Sequence, residues 1–295
     1  MIPGEFDYHV PDTVAEAIAL LAELGDEAKL LAGGQSLIPA MRFRLAMPAH
    51  LIDLRKLDGL AYLREEGGHL TIGAMTRESA LEESDLVQTR YPLLADTARV
   101  VADPLVRNLA TVGGNVAHSD PANDHPATLL AYDAVIVAQG PNGTRSIAID
   151  DFFTDLFENA LEENELLTEI RIPMPQPNEG GAYVKFERKV GDYAIGAVAA
   201  RLTLDGDRIA SVRLGLTNVS PAPMRAKNAE AELVGKTIDA ATLEAAGQAA
   251  AAECEPSKDL RGPVDYKRDV IRALVGRAVR NAAARARGEA IEGGH

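Results

Sequence analysis

Two glycine pairs constrain this chain more than any other feature. Gly33-Gly34 lies in the stretch AGGQS (residues 32–36), and Gly113-Gly114 lies in TVGGN (residues 111–115). Each pair sits among hydrogen-bonding residues: Gln35 and Ser36 follow the first, while Thr111 and Asn115 flank the second. A diphosphate needs several N–H donors converging at about 3 Å, and a Cβ would obstruct that approach. Paired glycines at the end of a strand, followed by small polar residues, meet the requirement. A tight turn is the competing use of each pair. Neither stretch fits G-x-G-x-x-G and neither is followed by GK[ST], so a Rossmann fingerprint and a P-loop are excluded.

Periodicity places both pairs. After Pro11, Asp12 or Thr13 is expected to cap a helix carrying Val14, Ile18, Leu21 and Leu24 on one face, with Gly25 ending it. Residues 29–32 read as a short buried strand running into Gly33, a helical turn starts near Ser36, and residues 50–54 read as another strand. Residues 62–72 form a hairpin about Gly67-Gly68, and residues 76–101 read as helices, capped at Thr76 or Ser79 and reopened at Pro92. A second hairpin turns at Gly140-Pro141-Asn142-Gly143, a short helix begins at Asp150 or Asp151, and residues 166–172 form a strand.

The stretch IPMPQPNEGG (residues 172–181) reads as a linker. It divides the chain into residues 1–176, with subdomains of about 1–55 and 56–176, and residues 177–295. Beyond it, strand-like runs at 182–188, 194–204 and 209–218 precede helices at 224–233, 242–252 and 266–287. This predicts a smaller α+β domain with a three-stranded antiparallel sheet. The terminal EGGH is expected to fray.

Charge and composition exclude several functions. The formal net charge is −14, which disfavours nucleic acid or an anionic membrane as the main partner. It leaves open a phosphorylated cofactor held by backbone amides. The single cysteine, Cys254, excludes an internal disulfide, a thiolate-ligated iron–sulfur cluster and a Cys-based zinc site on this chain. The segment 116–126 holds His118, Asp120, Asp124 and His125, a polar loop open to two readings: a metal site, or a cofactor-lining loop in which Asp124 accepts from a ribose or ribityl hydroxyl. The second is favoured, because Pro121 and Pro126 stiffen the loop and no further ligand cluster is evident. Arg272, Arg277, Arg280, Arg285 and Arg287 crowd the last helix, as a docking face or, preferentially, as a solvated face favoured by the helix dipole. The N-terminus lacks a signal-peptide pattern and no apolar run approaches membrane-spanning length, so a cytoplasmic protein is expected.

The ordered stretches AGGQSLIPAMRFRLAMPAHLIDLRKL, IGAMT, ADPLVRNLATVGGNVAHSDPANDHPATLLAYDA and ENELLTEIRIP, with KFERKVGDYAI, LTNVSPAPMRA and CEPSKDLRGPVDYKR after them, resemble a known family. It is that of the FAD-binding medium subunits of molybdenum hydroxylases, particularly those of carbon monoxide dehydrogenase type, and the resemblance covers essentially the whole chain. It implies an α+β, two-subdomain FAD-binding domain of the vanillyl-alcohol-oxidase (PCMH) type followed by the smaller domain. It implies FAD contacts from Leu31, Ala32, Gly33, Gly34, Gln35, Ser36 and Leu37 around the diphosphate, and from Thr111, Val112, Gly113, Gly114 and Asn115 closing on its other side. By the same resemblance Asp124 is an acidic contact, Leu167 a backbone contact near the flavin, Lys185 a cationic contact at the pyrimidine end, Tyr193 an aromatic beside the isoalloxazine, and Val101 a contact on the adenine side. No residue here is implied as catalytic, since FAD is the redox group.

The resemblance further implies a large partner subunit with molybdenum cofactor and a small one with two [2Fe–2S] clusters, arranged as a dimer of heterotrimers. Electrons would leave to a quinone or another acceptor, and any contact with the inner face of the membrane would come through the complex. Gln35 and Asn115 depart from the His and Asp that carbon monoxide dehydrogenases often carry, while keeping hydrogen-bonding capacity. A xanthine dehydrogenase-like or other aldehyde or N-heterocycle hydroxylase subunit, and a non-redox nucleotide-binding assembly module, are the alternatives.

Overall fold

A computed structural model describes residues 2–291; the terminal EGGH, expected to fray, lies outside the described residues. The chain begins as a three-stranded parallel sheet in the order Asp7–His9, His50–Asp53, Ala28–Leu31. The helix Val14–Leu24 crosses between the first strand and Ala28–Leu31, capped by Thr13, whose hydroxyl accepts from Glu16 N at 3.1 Å. It buries Ala17, Ile18 and Leu21 against Ile52 and Leu54, the face that the helical spacing requires.

The second unit is a five-stranded antiparallel sheet in the order Leu63–Glu66, His69–Gly73, Leu166–Pro173, Val135–Gly140, Gly143–Ala148. Helices cover it. Residues 76–101 hold three: Glu78–Glu83, Asp85–Arg90 and Pro92–Val100. Neither Thr76 nor Ser79 caps the first. Thr76 instead bonds Tyr62 through its hydroxyl, at 2.8 Å to the carbonyl and 3.1 Å from the amide, and Ser84 caps the second helix.

The third unit is an antiparallel sheet of Glu179–Phe186, Gly196–Asp205, Arg208–Thr217 and Met224–Arg225, covered by the helices Lys227–Leu233, Ala240–Glu253 and Val264–Ala286. It has four strands where three were expected. Met224 and Arg225, read as the start of a helix, pair with Leu216 and Gly215 as a short edge.

The third sheet shares a core with the second unit. Tyr183, Ala194, Ala197 and Ala199 are buried in one cluster with Leu93, Leu94, Ile136 and Ile170. Arg285, on the last helix, crosses to Asp96 (2.5 and 2.9 Å) and to the Gly181 carbonyl (2.7 Å), so this arginine is a tie across the shared core. Arg272 pairs with Glu244 on the adjacent helix.

Candidate cofactor site

A cavity of about 700 Å³ lies where the three units meet, within the ~300–1,000 Å³ typical of small-molecule sites. The strand Ala28–Leu31 delivers residues 32–36 to its wall, and the six-residue helix Leu37–Arg42 follows. Gly34 has φ of +73°, a conformation costly for any residue with a Cβ. Among the described residues the amides of Gly33, Gly34, Gln35 and Ser36 donate to no protein acceptor. The Gln35 amide group folds back onto the Gly33 carbonyl at 3.1 Å. The stretch is therefore a run of unengaged donors at the edge of a cavity, the arrangement that anions select.

The second glycine pair does not repeat it. Thr111 caps a helix, Val112–His118, so Gly113 and Gly114 occupy its first turn rather than a loop at a strand end. Its amides are engaged: Val112 N donates to Thr76 O (3.0 Å), Gly113 N to Ala74 O (3.0 Å), Gly114 N to Thr111 Oγ1 (3.2 Å) and Asn115 N to Thr111 O (2.9 Å). What this segment offers is clearance and one side chain. A Cβ on Gly113 would fall 2.6 Å from both Cβ and O of Ala74. Asn115 Oδ1 is buried at the cavity without a partner among the described residues, and Asn123 Nδ2 donates to the Asn115 carbonyl at 3.0 Å.

At one end of the cavity, Asp124 and Lys185 meet across the shared core. Lys185 Nζ donates to Asp124 Oδ2 (3.0 Å) and to Val100 O (2.9 Å), with Glu187 at 3.3 Å. The other Asp124 oxygen accepts from the Tyr183 hydroxyl at 2.7 Å, which also meets Thr217 at 3.0 Å. Burial pushes the Asp124 carboxyl up, and Lys185 and Tyr183 oppose that push. Each of its oxygens thus has a partner within the protein, and a carboxylate retains lone pairs for a further donor.

Tyr193 lines the same end, half exposed, with the Arg261 guanidinium 5.3 Å from its ring centroid. Val101 stands there too. It adjoins Val100, whose carbonyl accepts from Lys185 Nζ. Leu167 lines the cavity beside a bulge in the register of Leu166–Pro173. Ala32, Gly33, Gly34, Gln35, Ser36, Leu37, Thr111, Gly113, Gly114 and Asn115 all line it. Leu31 and Val112 do not; their side chains belong to the core behind it.

His118 and Asn123, from the loop read as cofactor-lining, also line the cavity, as do Phe157, Asn159 and Glu165, which sequence reasoning missed. Burial holds the His118 pKa below its ordinary value, against the opposing pull of Asp120. Asn159 Nδ2 donates to Ala117 O (2.9 Å) and Ser119 Oγ (3.0 Å), closing the wall across 40 residues of sequence, a separation that local pattern cannot show. The polarity of the 116–126 loop was a usable signal for Asn123. His125 is fully buried against Glu78 at 2.6 Å, and among the described residues no group of three or more His, Cys, Asp or Glu could hold a metal ion.

Residues 4–175 match the family model for the FAD-binding domain in molybdopterin dehydrogenase, and residues 181–282 match the carbon monoxide dehydrogenase flavoprotein C-terminal domain. The chain belongs to the FAD-binding medium subunits of the molybdenum hydroxylases. It is 47% identical to the carbon monoxide dehydrogenase medium chain of Hydrogenophaga pseudoflava, over 97% of this chain and 99% of that one. A solved carbon monoxide dehydrogenase from the same organism, lacking the Mo-pyranopterin moiety of its molybdenum cofactor, superposes with a TM-score of 0.95 at 48% identity, covering 97% of this chain and 99% of that chain. Quinoline 2-oxidoreductase from Pseudomonas putida 86 superposes with a TM-score of 0.91 at 32% identity, covering 97% and 99%. The α+β architecture, FAD-binding domain plus C-terminal domain, is that of these oxidoreductase flavoproteins.

The residues of this medium subunit fit FAD. The unengaged amides of residues 33–36 suit its diphosphate, the clearance at Gly113 lets the second segment pack on Ala74 at the cavity wall, and Asn115 Oδ1, without a partner among the described residues, can accept from a ligand donor. No lysine or arginine is needed at the loop.

Proposed function

We propose that this chain is the flavoprotein subunit of an aerobic carbon monoxide-oxidising complex. It receives electrons from [2Fe–2S] clusters of a small subunit, after substrate oxidation on a large molybdenum-cofactor subunit, and passes them to a quinone or another acceptor. The observation that carries this is the near-complete, 47%-identical match to a carbon monoxide dehydrogenase medium chain.

When bound, FAD supplies the redox chemistry; the protein supplies binding, orientation and electrostatics. In this reading residues 33–36 hold the diphosphate by backbone amides, and Gly113, Gly114 and Asn115 close the opposite wall. Asp124 and Lys185 brace the C-terminal domain against the flavin end, so that Lys185 acts there as a fixed, largely compensated charge. Tyr193 covers the ring end, and Leu167 contributes backbone. The large and small subunits, in a dimer of heterotrimers, complete the relay. Contact with the membrane would come through the complex, since among the described residues no helix is long and apolar enough to cross one.

The test is reconstitution with the two partner subunits. The purified chain should be yellow with stoichiometric FAD, and anaerobic carbon monoxide should bleach the flavin absorbance of the complex. A colourless chain that takes up no FAD sinks the cofactor reading. Bleaching by a purine, aldehyde or N-heterocycle but not by carbon monoxide sinks the substrate.

A further inference from the structure

The loop between the strands Glu179–Phe186 and Gly196–Asp205 carries Tyr193 to the cavity. Its strongest external restraint comes from far along the chain. Asp192 accepts at Oδ2 from Arg188 Nε (3.0 Å) and Nη2 (2.9 Å), both within the loop. At Oδ1 it accepts from the Tyr193 amide (2.8 Å) and from Arg261 Nη2 (2.8 Å). The same Arg261 guanidinium lies over the Tyr193 ring, 5.3 Å from its centroid, within cation–π range. One side chain therefore ties the backbone of Tyr193 through Asp192 and backs its ring. The two arginines also hold the Asp192 carboxyl well below the usual carboxylate range, so the tie is ionised at physiological pH.

Arg261 is itself anchored. Asp259 Oδ1 accepts from the amides of Arg261 (2.8 Å) and Gly262 (3.1 Å), while Asp259 Oδ2 accepts from Lys267 Nζ (2.8 Å). Lys267 is buried on the last helix. On its far side the loop rests on the turn at Ala102, where a Cβ on Gly191 would fall 3.0 Å from the Ala102 carbonyl oxygen. Tyr193 is thus gripped between Arg261 and the cavity wall, yet remains half exposed.

We infer that Arg261 is a positioning residue for Tyr193, holding the ring over the mouth of the FAD cavity and thereby setting how much of the bound flavin meets solvent. This rests on the FAD reading of the cavity and extends it to a residue outside the cavity lining. Arg188 supplies comparable charge to Asp192, while the ring contact belongs to Arg261, so the two arginines separate the ion pair from the stack.

Four full-length proteins test it: wild type, Arg261→Gln, Arg261→Lys and Arg188→Gln. In the apoprotein, tryptic cleavage after Lys189 should be about tenfold faster in Arg261→Gln and less than about threefold faster in Arg188→Gln. In FAD-loaded protein, iodide quenching of flavin fluorescence should rise about threefold in Arg261→Gln and stay near wild type in Arg188→Gln. Arg261→Lys, which keeps the ion pair and loses the planar stack, should fall between and keeps the test open if the glutamine variant fails to fold. Wild-type behaviour of Arg261→Gln in both assays overturns the inference, as does Arg188→Gln matching it, or Arg261→Lys behaving as wild type. Failure of wild type to bind FAD defeats the cofactor reading instead, and the tryptic rates still decide whether Arg261 restrains the loop.

Discussion

Residues 33–36 keep their amides unengaged, whereas residues 112–115 have committed all of theirs to Thr76, Ala74 and Thr111. Both stretches contain Gly-Gly and both line the same cavity. In the first, Gly34 takes a left-handed turn and Gly33 gives clearance to the Leu109 and Ala110 backbone, while the amides stay unengaged; in the second, Gly113 removes side-chain bulk so that a helix can begin against the Ala74 backbone. A dipeptide that reads the same in sequence thus serves two physical ends. The difference predicts that damage at Gly34 should register in cofactor affinity, and damage at Gly113 in stability.

The largest effect is expected from Gly113→Ala. The added methyl meets backbone and cannot be relieved by a rotamer, so overpacking should cost about 3 kcal/mol and lower the melting temperature of the apoprotein by several degrees in calorimetry. An unchanged melting temperature with weakened FAD binding would invert the comparison.

Gly34→Ala comes next. Its Cβ meets mainly the flexible Ile38 side chain, leaving the left-handed strain of about 1–2 kcal/mol as the main cost. If the unengaged amides hold the diphosphate, that strain should appear chiefly as an FAD dissociation constant raised about tenfold by fluorescence titration, with a smaller change in melting temperature. Equal losses in both would merge the two roles.

Asn115→Ala should be milder. Removing an orphaned buried acceptor should leave the apoprotein as stable as wild type or slightly more so, while FAD affinity falls by about 1 kcal/mol, a factor of roughly five. Loss of apoprotein stability would show that Asn115 is bonded without ligand.

The smallest effect concerns His118, at the end of the second segment's helix. Its folded pKa is lowered by burial, so the protein binds its proton less readily than the unfolded chain does. The sign follows: full stability holds above the unfolded pKa of about 6.5 and declines as pH falls from there toward the depressed folded value. His118→Gln should flatten that part of the stability profile in denaturant melts at successive pH values. An identical profile would remove His118 from the acid response.

The first segment was legible because a strand that runs straight into Gly-Gly and small polar residues leaves a row of backbone amides with nothing local to accept them. The helical nature of the second was missed although Thr111 is an N-cap residue, because two glycines in a first turn argue against a helix on propensity alone. Ala74 and Thr76 override that propensity by accepting the amides, and neither contact is local enough to read. The stretch 172–181 shows the same limit. Its glycines suggested a linker, but Gly180 and Gly181 lie inside a strand, where a Cβ on Gly181 would fall 2.9 Å from Leu93 Cβ. Asp124, Lys185 and Tyr193 do gather at the cavity, and their partners Tyr183, Val100 and Arg261 come from separations that only the fold reveals.

The burial of Tyr183, Ala194, Ala197 and Ala199 among Leu93, Leu94, Ile136 and Ile170 has a consequence for transplantation. A chimera that takes its C-terminal domain from a relative inherits half of someone else's interior. Unless the donor brings equally small residues at these alanine positions and an arginine that reaches Asp96, the graft fails at this seam. Divergence among such subunits should therefore be paced jointly on the two sides of that seam, even where the two domains answer to different partners.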